Sequence, residues 1–232
     1  MDLAVTLSII LPVLNEAALI APLLDDLRQR FAGVELIVVD GGSTDQTANR
    51  ARALADRYIG SAPGRAVQMN AGARVARGDC LVFLHADTRL PDAAHTAILR
   101  ALAATPRIWG RFDVRISGNH PMLPVIAALM NLRSRLTGVA TGDQAIFVTR
   151  AAFDAAGGFP EIALMEDIAL SKRLRRISPP VCLRDRVVTS GRRWEANGVL
   201  RTILIMWALR LGYMLGVPPA RLGRVWSRMR RR

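Results

Sequence analysis

The feature that most constrains this chain is an alternation of two hydrophobic periods across its first hundred residues. Thr6 to Leu11 is a short, β-branched apolar run closed by Pro12, and Glu16 to Phe31 follows with helical spacing. Glu35-Leu-Ile-Val-Val-Asp40 repeats the strand pattern, Gly41-Gly42 break it, and Ser43-Thr-Asp-Gln46 has the capping-box spacing that predicts a helix running towards Tyr58. Arg65 to Ala76 reads as a third helix closed by Gly78, Cys80 to His85 as an apolar strand, and Pro91 to Ala104 as a helix with proline in its first turn. Such alternation predicts an α/β class: a Rossmann-like, mostly parallel sheet flanked by helices.

After residue 105 the rhythm changes. Trp109 to Ile116 reads as a strand, Pro121 to Leu136 as an amphipathic helix, Ala145 to Thr149 as a strand and Glu166 to Ile177 as a polar-faced helix. Val181 to Ser190 has room for two short strands, and Ala196 to Val217 is apolar and helical. With 232 residues and no low-complexity linker, one domain is expected, with a mostly helical C-terminal extension.

The formal net charge of +13 favours anionic partners. Of the 32 basic residues only Lys172 is a lysine, a skew that points to base composition more than to selection for guanidinium at every site. The basic residues are scattered, aromatic residues make up only 5% of the chain, and no zinc-finger or stacking motif appears, so nucleic-acid binding is not expected. Cys80 and Cys182 lie far apart in apolar runs and read as reduced core residues. The apolar stretch from Leu3 to Leu14 has Asp2 before it and Asn15-Glu16 after it, which suits a buried strand of a cytoplasmic protein better than a secretory signal. Arg201 and Arg210 interrupt the stretch from Gly198 to Val217, so it reads as a core or dimer-interface helix and not as a membrane span. With Pro121 to Met130 and the basic tail Arg230-Arg231-Arg232, expected to fray, it leaves peripheral contact at the inner face of the membrane, and a lipid-linked acceptor, open.

Ligands of open α/β sheets bind beyond the carboxyl ends of the strands. Asp40 and Asp87 both fall there, Asp40 ahead of a helix and Asp87 two residues past His85, so that in an extended segment His85 and Asp87 project to one side. A hard cation bridging a diphosphate takes one or two protein ligands and the rest from phosphate and water, so Asp87 with His85 suffices for Mn²⁺ or Mg²⁺. Taken singly, each has an ordinary alternative: Asp40 as a turn residue, His85 as a structural histidine, Glu166-Asp167 as partners of a helix dipole.

In order and spacing these blocks resemble a family. Ser8-Ile-Ile-Leu-Pro-Val-Leu-Asn-Glu16, Val38-Val-Asp-Gly-Gly-Ser-Thr-Asp45, Gly78-Asp-Cys-Leu-Val-Phe-Leu-His-Ala-Asp87, Gly157-Gly-Phe159 and Glu166-Asp167 are similar to the successive motifs of family 2 glycosyltransferases, which have the GT-A fold. His85-Ala-Asp-Thr88, Thr141-Gly-Asp-Gln144, Leu164-Met-Glu-Asp167 and Arg193-Trp-Glu195 resemble more narrowly the bacterial subfamily labelled arsenosugar-biosynthesis-type. The resemblance implies that Pro12, Asn15 and Glu16 lie beside the nucleotide, that Asp40 with Gly41 meets the base or ribose, and that Asp87 is the metal ligand of the D-x-D motif. It implies Asp167, beside Glu166, as general base, and inversion at the anomeric carbon. Residues 1–105 would then be the nucleotide-sugar half, 106–195 the acceptor and catalytic half, and 196–232 C-terminal helices. Gly41 and His85 each replace an Asp common in the family, at the base-recognition and metal motifs.

Arg65 is placed to add a bidentate phosphate contact, with a solvated surface role as its alternative. Asp143 and Gln144 are expected on the acceptor side, with Trp194 packing on the acceptor or the product nucleotide. Two rival readings are a nucleotidyltransferase of similar fold that makes a sugar nucleotide, and a non-catalytic nucleotide-sugar binder. The first lacks the glycine-rich, lysine-containing signature such enzymes carry near the N-terminus, and neither a dinucleotide-binding nor a Walker glycine motif follows the first strand.

Overall fold

The computed structural model describes residues 5–230, with backbone alone for 228–230. One eight-stranded sheet runs through the molecule. Its first half is built by β1 (Leu7–Val13), α1 (Ala17–Arg30), β2 (Glu35–Asp40), α2 (Thr47–Arg52), β3 (Arg57–Gly60), α3 (Arg65–Val75) and β4 (Cys80–Phe83). β1 lies between β2 and β4 and is parallel to both, and β3 adds parallel to β2. β1, β2 and β4 are buried on both faces, which is why they read as continuous apolar runs.

The second half turns the sheet mixed. β5 (Thr88–Arg89), α4 (Ala94–Ala103), β6 (Trp109–Ser117), α5 (Met122–Thr137), β7 (Ile146–Thr149), α6 (Arg150–Ala155), α7 (Glu166–Ile177) and β8 (Val181–Ser190) follow, then α8 (Arg192–Asn197), α9 (Val199–Met214) and α10 (Pro219–Arg230). The strand order is β3-β2-β1-β4-β7-β6-β8-β5. Because β7 is antiparallel to both β4 and β6, while β8 is parallel to β6, the ends of β4, β6 and β8 and the start of β7 all open on one side. The site is built on that side.

Two apolar clusters, one on each face of the sheet, hold these layers together. A charged tie accompanies them. Arg111 of β6 has no exposed surface, and its guanidinium is met by Asp113, by Ser134 Oγ of α5 at 3.0 Å and by the Asn131 carbonyl at 3.2 Å. Asp113 also takes Arg135 at 2.6 Å, so the paired charges fix α5 against β6 in one register.

Several local expectations are corrected. The helix expected to run from Ser43 towards Tyr58 is confined to Thr47–Arg52, and Tyr58 lies in β3. The capping box fails because Ser43 Oγ donates to Asp40 instead, at 2.7 Å, and Asp45 takes the Thr47 N–H at 2.9 Å. Val181 to Ser190 is one strand, with a register shift between Phe112 and Asp113 where it pairs with β6. The segment expected as a core or dimer-interface helix is α9, which buries only Val199, Thr202 and Leu209 within the chain, so the core alternative fails. Cys80 and Cys182 are free; Cys80 is buried, which pushes its thiol up to about 12, whereas Cys182, expected in the core, is only half-buried. Residues 231 and 232 of the basic tail, and Leu3 and Ala4 of the N-terminal apolar stretch, lie outside the described residues.

Candidate active site

Two cavities open at the strand ends, of about 500 Å³ and about 410 Å³. The first is walled by the end of β1 and the start of α3, with Pro12, Glu16 and Gln68. The second lies between the Thr141–Gln144 turn, the start of α7 and the helices α8 and α9. They meet at a junction lined on both sides by Arg65, His85, Asp87, Leu164, Glu166, Arg193 and Trp226.

His85 and Asp87 reach that junction by a route other than the one expected. Residues 85–88 form a turn, closed by the Thr88 N–H donating to the His85 carbonyl at 3.1 Å, so the extended-segment reasoning does not apply. What aims His85 is Asp143, whose Oδ1 lies 3.4 Å from His85 Nδ1. The imidazole packs on Gly142, where an added Cβ would come within 2.5 Å of the ring, so any side chain at 142 would displace it. The Asp143 carboxyl is pushed up by its surroundings, but the His85 contact and the charges of His85, Arg65 and Arg193 prevail and hold it down to about 2.

Asp167 and Glu166 open α7 after Met165, which has a left-handed backbone with φ of 71°. Asp167 Oδ2 accepts the Gly142 N–H at 2.8 Å and its Oδ1 the Ile168 N–H at 2.7 Å, which docks the turn carrying Asp143 on the helix carrying the acidic pair. Asp167 lines the second cavity alone, whereas Glu166 lines both. Burial and then the neighbouring Asp167 charge raise the Glu166 carboxyl above the usual range, against the opposing pull of Arg65 and His85.

Other expected site residues have structural duties. Asp40 is 3% exposed and lines neither cavity. Its Oδ1 accepts from the Gly42 N–H, the Ser43 N–H and Ser43 Oγ at 2.7 to 3.0 Å, and its Oδ2 from Tyr58 Oη at 2.7 Å, so the carboxylate is held by its own loop and by β3. Burial pushes this carboxyl up, and those hydrogen bonds outweigh it and hold it below the ordinary value. Asn15, with φ of 56°, accepts the Thr44 N–H at 2.8 Å and ties the loop after β1 to the loop after β2. Gln144 is fully buried: its side chain takes the Thr141 N–H in a capping box and does not reach the cavity. Pro12, Glu16, Arg65, Asp143 and Trp194 do line cavity walls.

Residues given no site role by the sequence also shape the walls and their surroundings. Gln68 donates to the Val13 and Val39 carbonyls at 2.8 and 2.9 Å, stitching the ends of β1 and β2. It also explains Gly41: an added Cβ there would stand 3.1 Å from the Gln68 amide. Arg193 stacks over Trp226 at 5.3 Å, and Arg210 of α9 faces the second cavity, its pKa lowered by burial against the pull of Asp167 and Asp143. Glu195 accepts the Asn119 N–H at 2.7 Å, so the third member of Arg193-Trp-Glu195 anchors the turn after β6. The helical period of the apolar residues around Arg210 was visible; which side of the helix would meet a cavity was not.

Residues 8–154 match glycosyl transferase family 2, and the chain belongs to that family. Over 94 residues it is 42% identical to the PGL/p-HBAD biosynthesis glycosyltransferase of Mycobacterium tuberculosis, a match covering 37% of this chain and 37% of that one. Among solved structures, Staphylococcus aureus TarS in complex with UDP-GlcNAc superposes with a TM-score of 0.65 at 17% identity, over 80% of this chain and 58% of that one. The mannosyltransferase PcManGT from Pyrobaculum calidifontis, in complex with GDP-Man and Mn²⁺, gives 0.61 at 22% identity, over 81% and 57%. Such likenesses establish the fold as GT-A, a mixed, curled sheet flanked by helices.

Proposed function

We propose that this chain is an inverting, metal-assisted glycosyltransferase moving a sugar from a nucleoside-diphosphate donor to a hydroxyl of a small or lipid-linked acceptor in the cytoplasm. The observation that carries the reading is the meeting of two cavities at Arg65, His85, Asp87 and Glu166, with Asp167 on the second alone. The donor occupies the first cavity, with Pro12 and Glu16 beside the nucleotide and Arg65 on the diphosphate; the acceptor occupies the second, beside Asp143 and Trp194. Donor complexes of UDP-GlcNAc in TarS and GDP-Man in PcManGT support it. The subfamily resemblance to arsenosugar-biosynthesis-type transferases is the finer assignment that the motif wording supports.

Asp87 and His85 would hold a divalent cation. Among the described residues no cluster of three or more His, Cys, Asp or Glu side chains is arranged to hold a metal, which fits a cation taking its remaining ligands from the donor's phosphates. Bound there, it supplies neutralisation of charge on the leaving diphosphate. The chain's own residues do the rest. Asp167 takes the acceptor proton as the hydroxyl adds to the anomeric carbon, and Arg65 adds positive charge beside the departing phosphate. A single displacement from the face opposite the diphosphate inverts the anomeric centre.

Asp167→Asn tests the role of the base, because its amide oxygen can still accept the Gly142 N–H while the basicity is gone. Turnover should fall by about 10²- to 10⁴-fold with nucleotide-sugar binding retained. Undiminished transfer would remove Asp167 from the reaction. A nucleotidyltransferase would instead release pyrophosphate from a nucleoside triphosphate and a sugar phosphate.

A further inference from the structure

α9 has two working faces. Thr202, Met206, Leu209 and Arg210 line the second cavity, while Leu200, Leu204, Trp207, Leu211 and Met214, on another side of the helix, are 53 to 72% exposed. At about 100° per residue, the exposed five fill an arc of about 80° that contains no charge, with Arg201 and Arg210 about 60° and 40° beyond its two edges. α5 repeats the pattern: it buries Leu123, Ile126, Ala127 and Met130 and exposes Val125, Leu129, Leu132 and Leu136. Met130 lies on the wall of the same cavity.

Charge identifies the occupant. Between Arg192 and Arg232 the chain carries ten arginines and one acidic residue, Glu195, which is engaged with the Asn119 N–H. α5 carries no acidic residue, but its Arg135 is paired with Asp113 and its Arg133 is partly buried, so the exposed positive charge lies in the C-terminal segment. A second copy of the chain would bring the same excess of positive charge to the contact, whereas an anionic lipid surface neutralises it. Arg201, exposed beside the apolar stripe, can extend its guanidinium to the headgroups, and an exposed Trp suits the interface. Among the described residues no helix is long and apolar enough to cross a membrane, so contact is made by lying on the surface.

We propose that the outer faces of α9 and α5 dock this chain on an anionic bilayer, so that the second cavity takes its acceptor hydroxyl from a lipid. Docking stands on the surface alone; the lipid acceptor rests on the transferase reading.

The test is flotation of the full chain with phosphatidylcholine vesicles, with and without phosphatidylglycerol, beside the triple variant Leu204→Ser, Trp207→Ser, Leu211→Ser. All three positions are exposed, so the variant should keep the wild-type melting temperature and its response to nucleoside diphosphate. The wild type should float with anionic vesicles, less so at high salt, and the variant should partition at least about tenfold more weakly. Absence of flotation with anionic vesicles, or equal flotation of the variant, overturns the proposal. So does a dimer in sedimentation that the triple variant dissolves while vesicle binding is missing. Flotation of a protein that ignores every nucleotide would leave the docking surface standing and remove the transferase reading beneath the lipid acceptor.

Discussion

His85 Nδ1 lies 3.4 Å from Asp143 Oδ1, a contact joining the loop after β4 to the turn before β7, which are more than fifty residues apart in the chain. If His85 holds the proposed cation, a carboxylate on Nδ1 would fix the tautomer and leave Nε2 as the ligating nitrogen. Asp143→Asn should therefore weaken activation by Mn²⁺ by about 10- to 100-fold, the usual effect of losing a carboxylate behind a ligating histidine. Titration of activity against Mn²⁺ at saturating donor reads it. An unchanged half-saturation would confine Asp143 to the acceptor side.

Glu166 has a pH signature. Its carboxyl is raised above 4.5 by burial and by Asp167, so the folded state carries a cost for ionising it that is absent at low pH and grows as pH rises through the folded pKa. Glu166→Gln removes that cost. The melting temperature of the variant relative to wild type should be higher at pH 7 to 8 than near pH 4, and a difference constant across that range would contradict the raised carboxyl.

Gln68 is buried with both amide hydrogens committed to carbonyls of β1 and β2. Gln68→Ala leaves the Val13 and Val39 carbonyls without these donors and should cost about 1 to 3 kcal/mol in denaturant unfolding. Gly41→Asp on the wild-type background crowds the same amide. Combined with Gln68→Ala it should cost less than it does alone, and strict additivity would show the two positions to be uncoupled.

The first half of the fold was legible because its strands are buried on both faces: β1, β2 and β4 announce themselves as apolar runs, and Glu166–Ile177 is a helix with the bounds its pattern gives. Asp87, Arg65 and Glu166 line the cavities on the side of the sheet where strand ends and helix starts converge, the side the sequence pointed to. Asp40 and Gln144 could not, since residue type does not reveal whether a polar side chain is filled by its own loop. In Asp40 four protein donors occupy the carboxylate; in Gln144 the amide is folded back on Thr141. Nor did the arginines of α9 show their meaning. The sequence places Arg201 and Arg210 on opposite sides of the helix, and only the packing shows Arg201 beside an exposed apolar stripe and Arg210 on the cavity wall.

The most direct measurement is a thermal-shift titration with nucleoside diphosphates in the presence and absence of Mn²⁺, in wild type and Asp87→Ala. Uridine or guanosine diphosphate with Mn²⁺, at about a hundred times its Kd, should raise the wild-type melting temperature by roughly 5 to 10 °C. Without Mn²⁺, or in Asp87→Ala, most of that rise should vanish. If no nucleoside diphosphate stabilises the wild type, or if stabilisation is the same with and without metal and in both proteins, a diphosphate held through a cation at Asp87 is contradicted.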